Sequence, residues 1–187
     1  NSPNIIESKS FKLYLNSFNQ TKFAGVGDIA QTLESDLSTA AGSPVMVMVQ
    51  PLNKAVQHGM GHFVGESIDE LDVDIDCYRP DADILKVQNP EVLVHESLYS
   101  DLLKSNCPVT GQPDWASVCV SYHGPKIDRE SLLKYIVSFR EHQDFHEHCV
   151  ERMFVDISSR CQPLSLSVYA RYTRRGGLDI NPFRTNA

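Results

Sequence analysis

The 187-residue sequence is short of positive charge. Seventeen lysines and arginines stand against 24 aspartates and glutamates, for a formal net charge of −7 and a pI near 5.4. No basic run or stripe collects the cations that are present. That argues against stable binding of long nucleic acid, whose phosphates need such a stripe. A small nucleotide-like ligand, which needs only a few local cations, stays open. Long hydrophobic runs are also missing. No stretch approaches the roughly 18 apolar residues of a membrane-spanning helix, and "PVMVMVQPL" (44–52) is far too short. No secretory leader is visible, and the first residue is Asn1 rather than Met, as expected for a fragment or a processed product. There is no C-x-x-C pair. The five cysteines, Cys77, Cys107, Cys119, Cys149 and Cys161, are odd in number and scattered. They suit neither a disulfide framework nor a zinc ribbon, and they fit reduced thiols in the cytoplasm. What the sequence does have is 41% hydrophobic residues, enough for one large domain or two small modules.

Along the chain, "ESKSFKLYLNSFNQTKF" (7–23) predicts a helix, with Phe11, Leu15 and Phe18, and Tyr14 and Phe18, at helical spacing. Gly25 and Gly27 interrupt it, and Asp28 is the expected cap of a second helix ending at Gly42. "VMVMVQPL" (45–52) predicts a strand, "LDVDIDCY" (71–78) a half-solvated strand or edge, and "EVLVHESL" (91–98) another strand. Residues 79–90, with two prolines, predict a linker or long loop, and "HGMGHFVGE" a loop or distorted hairpin. An alternating strand follows at 115–123. Then come a helix from Asp128 (or Ser131) as cap, a second helix over 145–160, a strand over 163–174 and a Gly- and Pro-broken tail. Two helices followed by a strand thus occur twice. The pattern predicts an α+β architecture of tandem β-β-α-α-β-β modules, each an antiparallel sheet with paired helices on one face, the first lacking its opening strands. The expected division is 1–90, the remainder of the first module plus linker, and 91–187, the second.

Three places could carry chemistry. Cys107 opens the turn "CPVTGQPD" (107–114). Most cysteines outside disulfides are small buried hydrophobes. A turn beside a proline favours exposure, however, and Lys104 is a nearby cation that would favour thiolate. Asp114 could fold back across the bend. A thiolate adds to a polarised carbon such as a nitrile or carbonyl, and an acid protonates the atom that gains charge. Equally, Asp114 could simply receive backbone N–H groups. The second place is "EHQDFHEHCV" (141–150). His142, His146 and Cys149 could ligate zinc, but Phe145 and His146 lie where two helices should join, which would spoil the i,i+4 geometry. Alternatively, His146 could relay a proton and Glu147 could accept two parallel N–H bonds from a guanine-like edge. In the third, "RYTRRGGLDINP" (171–182), Arg174 and Arg175 sit beside Gly176 and Gly177. Arginines with approachable backbone suit a phosphate, as would Lys9 and Lys12 in "ESKSFK". A strand end with solvated arginines is the plainer account.

"ESKSFKLY" (7–14), "CPVTGQPD", "FHE" (145–147) and "RRGGLDINP" (174–182) together resemble the NADPH-dependent 7-cyano-7-deazaguanine reductases, the nitrile reductases of queuosine biosynthesis, over essentially the whole chain. "ESKSFKLY" precedes the cysteine, as in the family's long, two-module form, a tandem of tunnelling-fold modules with more chain upstream. The resemblance implies Cys107 as the nucleophile that forms a thioimide with the nitrile carbon, Asp114 as proton donor to its nitrogen, and His146 assisting proton transfer. It implies that Ile6, Glu7, Ser8, Phe145, His146 and Glu147 bind the deazaguanine, and that Ser8, Lys9, Arg175 and Gly176 contact NADPH, with no metal. A cytoplasmic homodimer or larger homo-oligomer acting on a small molecule, not on nucleic acid or membrane, follows by the same resemblance. Two other classes remain: a zinc-dependent pterin or purine hydrolase of the same fold, and a non-catalytic purine-binding module.

Overall fold

The computed structural model describes residues 2–51 and 61–186. It divides into two compact units, Asn1–His62 and Phe63–Ala187.

In the first unit, α1 is Ser8–Ser17, capped by the Glu7 carboxylate, which accepts from the backbone N–H groups of Lys9 and Ser10 at 2.7 and 2.8 Å. The helix expected over 7–23 is shorter than that, because Phe18–Gln20 tightens into a 3-10 turn. The aromatic spacing read from the sequence is realised as an edge-to-face Tyr14–Phe18 pair, and Phe18 then stacks on Phe23. Helix α2 is Val26–Ala41. It starts before Asp28. Gly25 holds the cap position, and Asp28 lies in the first turn, where its charge faces the positive helix end. Leu33, Leu37 and Ala41 form the buried stripe, and Gly42 (φ 68°) ends the helix in the left-handed conformation that glycine tolerates.

The strand expected over 45–52 does not form in its described part, 45–51. Among the described residues its backbone has no strand neighbour. Instead the Val45 N–H donates to the Ser38 hydroxyl and the Val47 N–H to the Glu34 carboxylate, both on α2. The alternation survives, with Val45, Val47 and Val49 half-buried and Met46 and Met48 exposed.

The second unit is a five-stranded sheet in the order β1-β2-β3-β4-β5. The strands are β1 Glu66–Ser67, β2 Val87–Asn106, β3 Pro113–Ile127, β4 Ser165–Tyr172 and β5 Phe183–Thr185. β1 runs parallel to β2, and the other pairs are antiparallel. Helices α3 (Arg129–Val137) and α4 (His146–Cys161) join β3 to β4. Leu132, Leu133, Ile136, Val150, Met153 and Ile157 of these helices share one core with Leu98, Val118, Val120, Leu166 and Val168 of the strands. From β2 onward the element order is β-β-α-α-β-β. Asp128 caps α3 by accepting from the Ser131 N–H at 2.8 Å, as its position predicts.

The break between units falls at 62/63, whereas the sequence suggested 90/91. Ile68 and Leu85 are buried in the second unit's core, and Leu71, Val73 and Ile75 pack against it. The acidic stretch 71–78 alternates as read, with the aspartates outward, but joins no ladder. The expected linker 79–90 contains a 3-10 turn, Ala82–Ile84, and the start of β2. Residues 58–60 of the glycine-rich stretch lie outside the described residues; 61–65 are irregular and lead into β1. Strand β5 was not foreseen in the broken tail. Among the described residues no helix is long and apolar enough to cross a membrane.

Candidate active site

Strands β2 and β3 pair up to Asn106 opposite Pro113, so residues 107–112 form the hairpin turn between them. The turn is closed by its own backbone: the Cys107 N–H donates to the Gln112 carbonyl and the Gly111 N–H to the Cys107 carbonyl, each at 2.8 Å. Gly111 has φ 68°, where a side chain would be strained. The turn is also tied to the α3–α4 connection. The Asn106 N–H donates to the His142 carbonyl at 2.8 Å, and the Asp144 N–H to the Asn106 carbonyl at 3.2 Å. These ties bury Cys107 to 1% exposure although it opens a turn, and Pro108, Val109 and Thr110 carry the turn's exposed surface instead. The five cysteines form no disulfide. The Lys104 ammonium, expected beside the thiol, donates to the Arg140 carbonyl at 2.8 Å.

Asp114 is the first inward residue of β3 and is 4% exposed. Two distant pieces of chain meet at its carboxylate. His146, the first residue of α4, places Nε2 3.3 Å from Oδ2. Arg175, between β4 and β5, donates through Nη1 to Oδ1, and its Nη2 donates to the Gln112 side-chain carbonyl. The His146 ring lies 4.0 Å, centre to centre, from that of Tyr172, the last residue of β4. Cys149 and Ser105 lie beside Tyr172. Burial pushes the Cys149 thiol up to about 11 and the Tyr172 hydroxyl well above its ordinary value, and the Asp114 charge adds to both. Both groups therefore stay protonated near neutrality.

Two polar atoms at the start of α4 are buried without a hydrogen-bond partner: His146 Nδ1 and Glu147 Oε2. The helix also has no side-chain cap, since Phe145 occupies the cap position. A fold does not leave such groups unsatisfied without cost. Both atoms are left with hydrogen-bonding capacity.

Arg175, Gly176, Gly177 and Leu178 form a tight turn closed by the Arg175 N–H to the Leu178 carbonyl (3.1 Å) and the reverse bond (3.2 Å). Gly176 and Gly177 have φ 57° and 85°, the pair of positive values that a type I′ hairpin turn requires. Arg174 pairs with Asp179 but stays largely exposed, as the plainer account has it, whereas Arg175 is held by Asp114.

The remaining sequence candidates are in the first unit. Ile6 is half-buried, Glu7 caps α1, Ser8 is 9% exposed and Lys9 follows it. Burial alone would raise the Glu7 carboxyl, but the Ser10 hydroxyl and the N–H groups of Lys9 and Ser10 hold it below the usual carboxylate range. His142 precedes α4, so it and His146 do not sit on successive turns of one helix. Its Nε2 lies 3.5 Å from Asp144, and burial lowers its pKa, with Asp144 opposing. Among the described residues no group of three or more His, Cys, Asp and Glu is arranged to hold a metal ion. Sequence reasoning missed Gln112 and Tyr172. Gln112 lies inside the turn already singled out, and Tyr172 is the last inward residue of an alternating strand, so each carried a signal.

Comparison with known proteins gives two family matches. Residues 1–49 match the family described as nitrile reductase, 7-cyano-7-deazaguanine-reductase N-term, and residues 113–187 match that described as QueF-like protein. The chain is 58% identical over 185 residues to an NADPH-dependent 7-cyano-7-deazaguanine reductase of Ralstonia nicotianae, covering 99% of this chain and 67% of that protein. It is 56% identical to the one from Paraburkholderia phymatum (99% and 68%) and 58% to the one from Dechloromonas aromatica (99% and 65%). A crystal structure of the archaeosine synthase QueF-Like in the apo form aligns with 50% of this chain and 91% of that one, at 20% identity and a TM-score of 0.44.

Proposed function

The chain belongs to the NADPH-dependent 7-cyano-7-deazaguanine reductases, and from that premise we propose that it reduces the nitrile of 7-cyano-7-deazaguanine to the primary amine, a step of queuosine biosynthesis, at the site built around Cys107, Asp114 and His146. The observation that carries this assignment is the meeting of a buried carboxylate and imidazole beside the cysteine turn, next to two unpartnered polar atoms.

The roles follow from the chemistry of each group. A nitrile carbon resists direct hydride addition. The Cys107 S–H bond breaks as its sulfur bonds to that carbon, and the proton passes by way of Asp114, the donor to the nitrogen, which converts the triple bond to the C=N of a thioimide. When the carbon is later reduced, the S–C bond breaks and the sulfur leaves with its electron pair as a thiolate, which takes back a proton to restore the thiol. His146 hands protons on from its contact with Asp114. The Glu147 carboxylate accepts from two N–H groups of the guanine-like edge, and Phe145 packs beside the ring. Burial of Cys107 and Asp114 keeps water from a hydrolysable intermediate.

Arg175 fits a cofactor phosphate. It is one-third exposed on a glycine turn, and a Cβ added at Gly177 would meet nothing within 4 Å. Together with Gly176 it would hold NADPH, which when bound supplies the hydride, twice for each nitrile carried to the amine. The chain spans about two thirds of its relatives' length. We take its two units as parts of two tunnelling-fold modules in a cytoplasmic homodimer or larger homo-oligomer that acts on the small molecule and not directly on nucleic acid.

Intact-protein mass spectrometry after mixing with 7-cyano-7-deazaguanine, without NADPH, tests the assignment. The expected result is an added mass equal to the substrate, absent from Cys107→Ala. Substrate binding with no adduct in the unaltered protein would overturn the catalytic reading in favour of a binding module.

A further inference from the structure

The His146 ring is fixed by few polar contacts. It belongs to the first residue of α4, where Phe145 at the cap position contributes no side-chain bond. Its Nε2 lies 3.3 Å from the Asp114 carboxylate, and its Nδ1 has no hydrogen-bond partner. A contact at one ring atom sets a direction but not a plane, and the χ2 torsion of a histidine has broad wells that leave the plane free to turn. The second constraint is a face. The Tyr172 ring lies 4.0 Å away, centre to centre, with the two planes 33° apart. At that separation, rotating the imidazole out of its plane drives it into the phenol. Tyr172 is itself well held. It ends β4 opposite Ala116 and is 5% exposed. Its hydroxyl end lies beside Ser105 and Cys149. Ser105 pairs with Asp114 across β2 and β3, and Cys149 follows His146 by three positions on α4, on the same helix face. One tyrosine therefore lies along the first turn of α4, its ring against His146 and its hydroxyl end at Cys149.

We propose that Tyr172 is a positioning residue for His146. Its ring sets the plane of the imidazole so that Nε2 meets Asp114 while Asp114 passes the proton to the nitrile nitrogen. The hydroxyl anchors the ring, and the ring face does the positioning. Tyr172 acts through His146, so its contribution disappears when His146 is removed. The inference rests on the nitrile-reductase reading for the reaction that His146 serves. The ring contact is read from this chain alone.

A double-mutant cycle separates positioning from plain packing. The rate of adduct formation with 7-cyano-7-deazaguanine, without NADPH, is measured for the unaltered protein, Tyr172→Leu, His146→Gln and the double variant. Tyr172→Leu removes the ring face and should slow the reaction by about 10- to 10²-fold, the scale of an ångström's misplacement. In the His146→Gln background the same change should cost less than about threefold more, because residues that act through one another are not additive whereas independent sites multiply. Tyr172→Phe keeps the face and should recover the rate to within about threefold of the unaltered protein, a loss of one buried hydroxyl. Proton NMR reads the contact itself. The His146 ring signals, identified by their loss in His146→Gln, should sit upfield under the tyrosine ring, move downfield in Tyr172→Leu and hold in Tyr172→Phe. If Tyr172→Leu does not fold, Tyr172→Met, whose unbranched side chain adapts to a gap, takes its place in the cycle. Multiplicative losses in the double variant would overturn the inference and leave Tyr172 as packing, as would an unchanged rate in Tyr172→Leu. An unaltered protein that forms no adduct would sink the nitrile-reductase reading and the role of Tyr172 with it, whereas adduct formation with multiplicative losses would sink the role alone.

Discussion

Replacing Asp114 by Asn tests the proposed proton donor with little change of shape. The amide keeps one acceptor oxygen but loses the charge and the capacity to release a proton. Two contacts change character: the one with Arg175 and the one with His146 at 3.3 Å. A hydrogen bond to a charged group contributes about 1.5–3 kcal/mol and a neutral one about 0.5–1.5 kcal/mol. The Arg175 contact deserves a discount, because that guanidinium is one-third exposed and water partly replaces the lost partner. Together the two changes cost about 1–2 kcal/mol, or about 2–8 °C in Tm for a chain of this size. Loss of a general acid costs far more in rate, about 10²- to 10⁴-fold. Stopped-flow or quenched mass spectrometry of thioimide formation without NADPH should show a loss of that size while circular dichroism keeps the native signal. Adduct formation at the unaltered rate in Asp114→Asn would refute the role. A loss of rate matched by loss of the folded signal would refute the reasoning about packing instead.

Glu147→Ala removes a carboxylate whose Oε2 is buried and unpartnered. Affinity for 7-cyano-7-deazaguanine should fall by about 10²-fold, the cost of about 3 kcal/mol of charge-assisted bonding, while Tm stays level or rises; calorimetry and a thermal melt check the two halves. Burial raises Cys149 and Cys161 to about 11 each, above the roughly 8.5 of an unfolded thiol. Their contribution is complete below about pH 8.5 and is lost as pH rises towards about 11, because the unfolded chain then holds fewer protons. Cys161→Ala should flatten the fall in unfolding free energy over that window by up to about 1.4 kcal/mol per pH unit, measured by urea titration at several pH values. Gly124→Ala would set a methyl 2.6 Å from the Pro163 Cα, a backbone atom that cannot swing aside; a loss of about 1–3 kcal/mol in stability is expected from denaturant unfolding.

Much of the second unit is legible because its signals are local. The alternation of 115–123, the Asp128 cap and the helical spacing of 145–160 each need only a few neighbouring residues, and each is found close to where the pattern put it. Residues 45–51 and 71–78 show the limit of the same reasoning. Their side chains alternate between inward and outward as read, but a strand is defined by a partner, and no local pattern says whether an edge lies alongside. The start of α2 moved for a related reason. A glycine can hold the cap position as well as be a breaker, so Asp28 serves in the first turn. The division of the chain depends on which core Ile68 and Leu85 join, and the two-proline stretch 79–90, within which Leu85 lies, conceals that.

The candidate site was legible residue by residue but not as a constellation. Cys107, Asp114, His146 and Arg175 could each be singled out for a type of chemistry, yet sequence spacing gave Asp114 only Cys107 as a neighbour across the bend. The structure gives it His146 and Arg175, the latter 61 positions away. Contacts of that span are set by strand register and by where α4 begins. Asp114 opposes Ser105 on β2, and Ala116 opposes Tyr172 on β4. This register brings the start of β3 beside the last residue of β4, and Arg175 follows that residue three positions later. A shift of β4 by one residue would turn Tyr172 away from His146 and send its whole inward row to the other face. The core that sets the register, Val118, Val120 and Tyr122 against Ala170, Val168 and Leu166, therefore positions the acid as surely as the turn positions the thiol. Large-to-small changes in that core should disturb nitrile addition before they unfold the protein, because the site depends on register to within about an ångström and the fold does not.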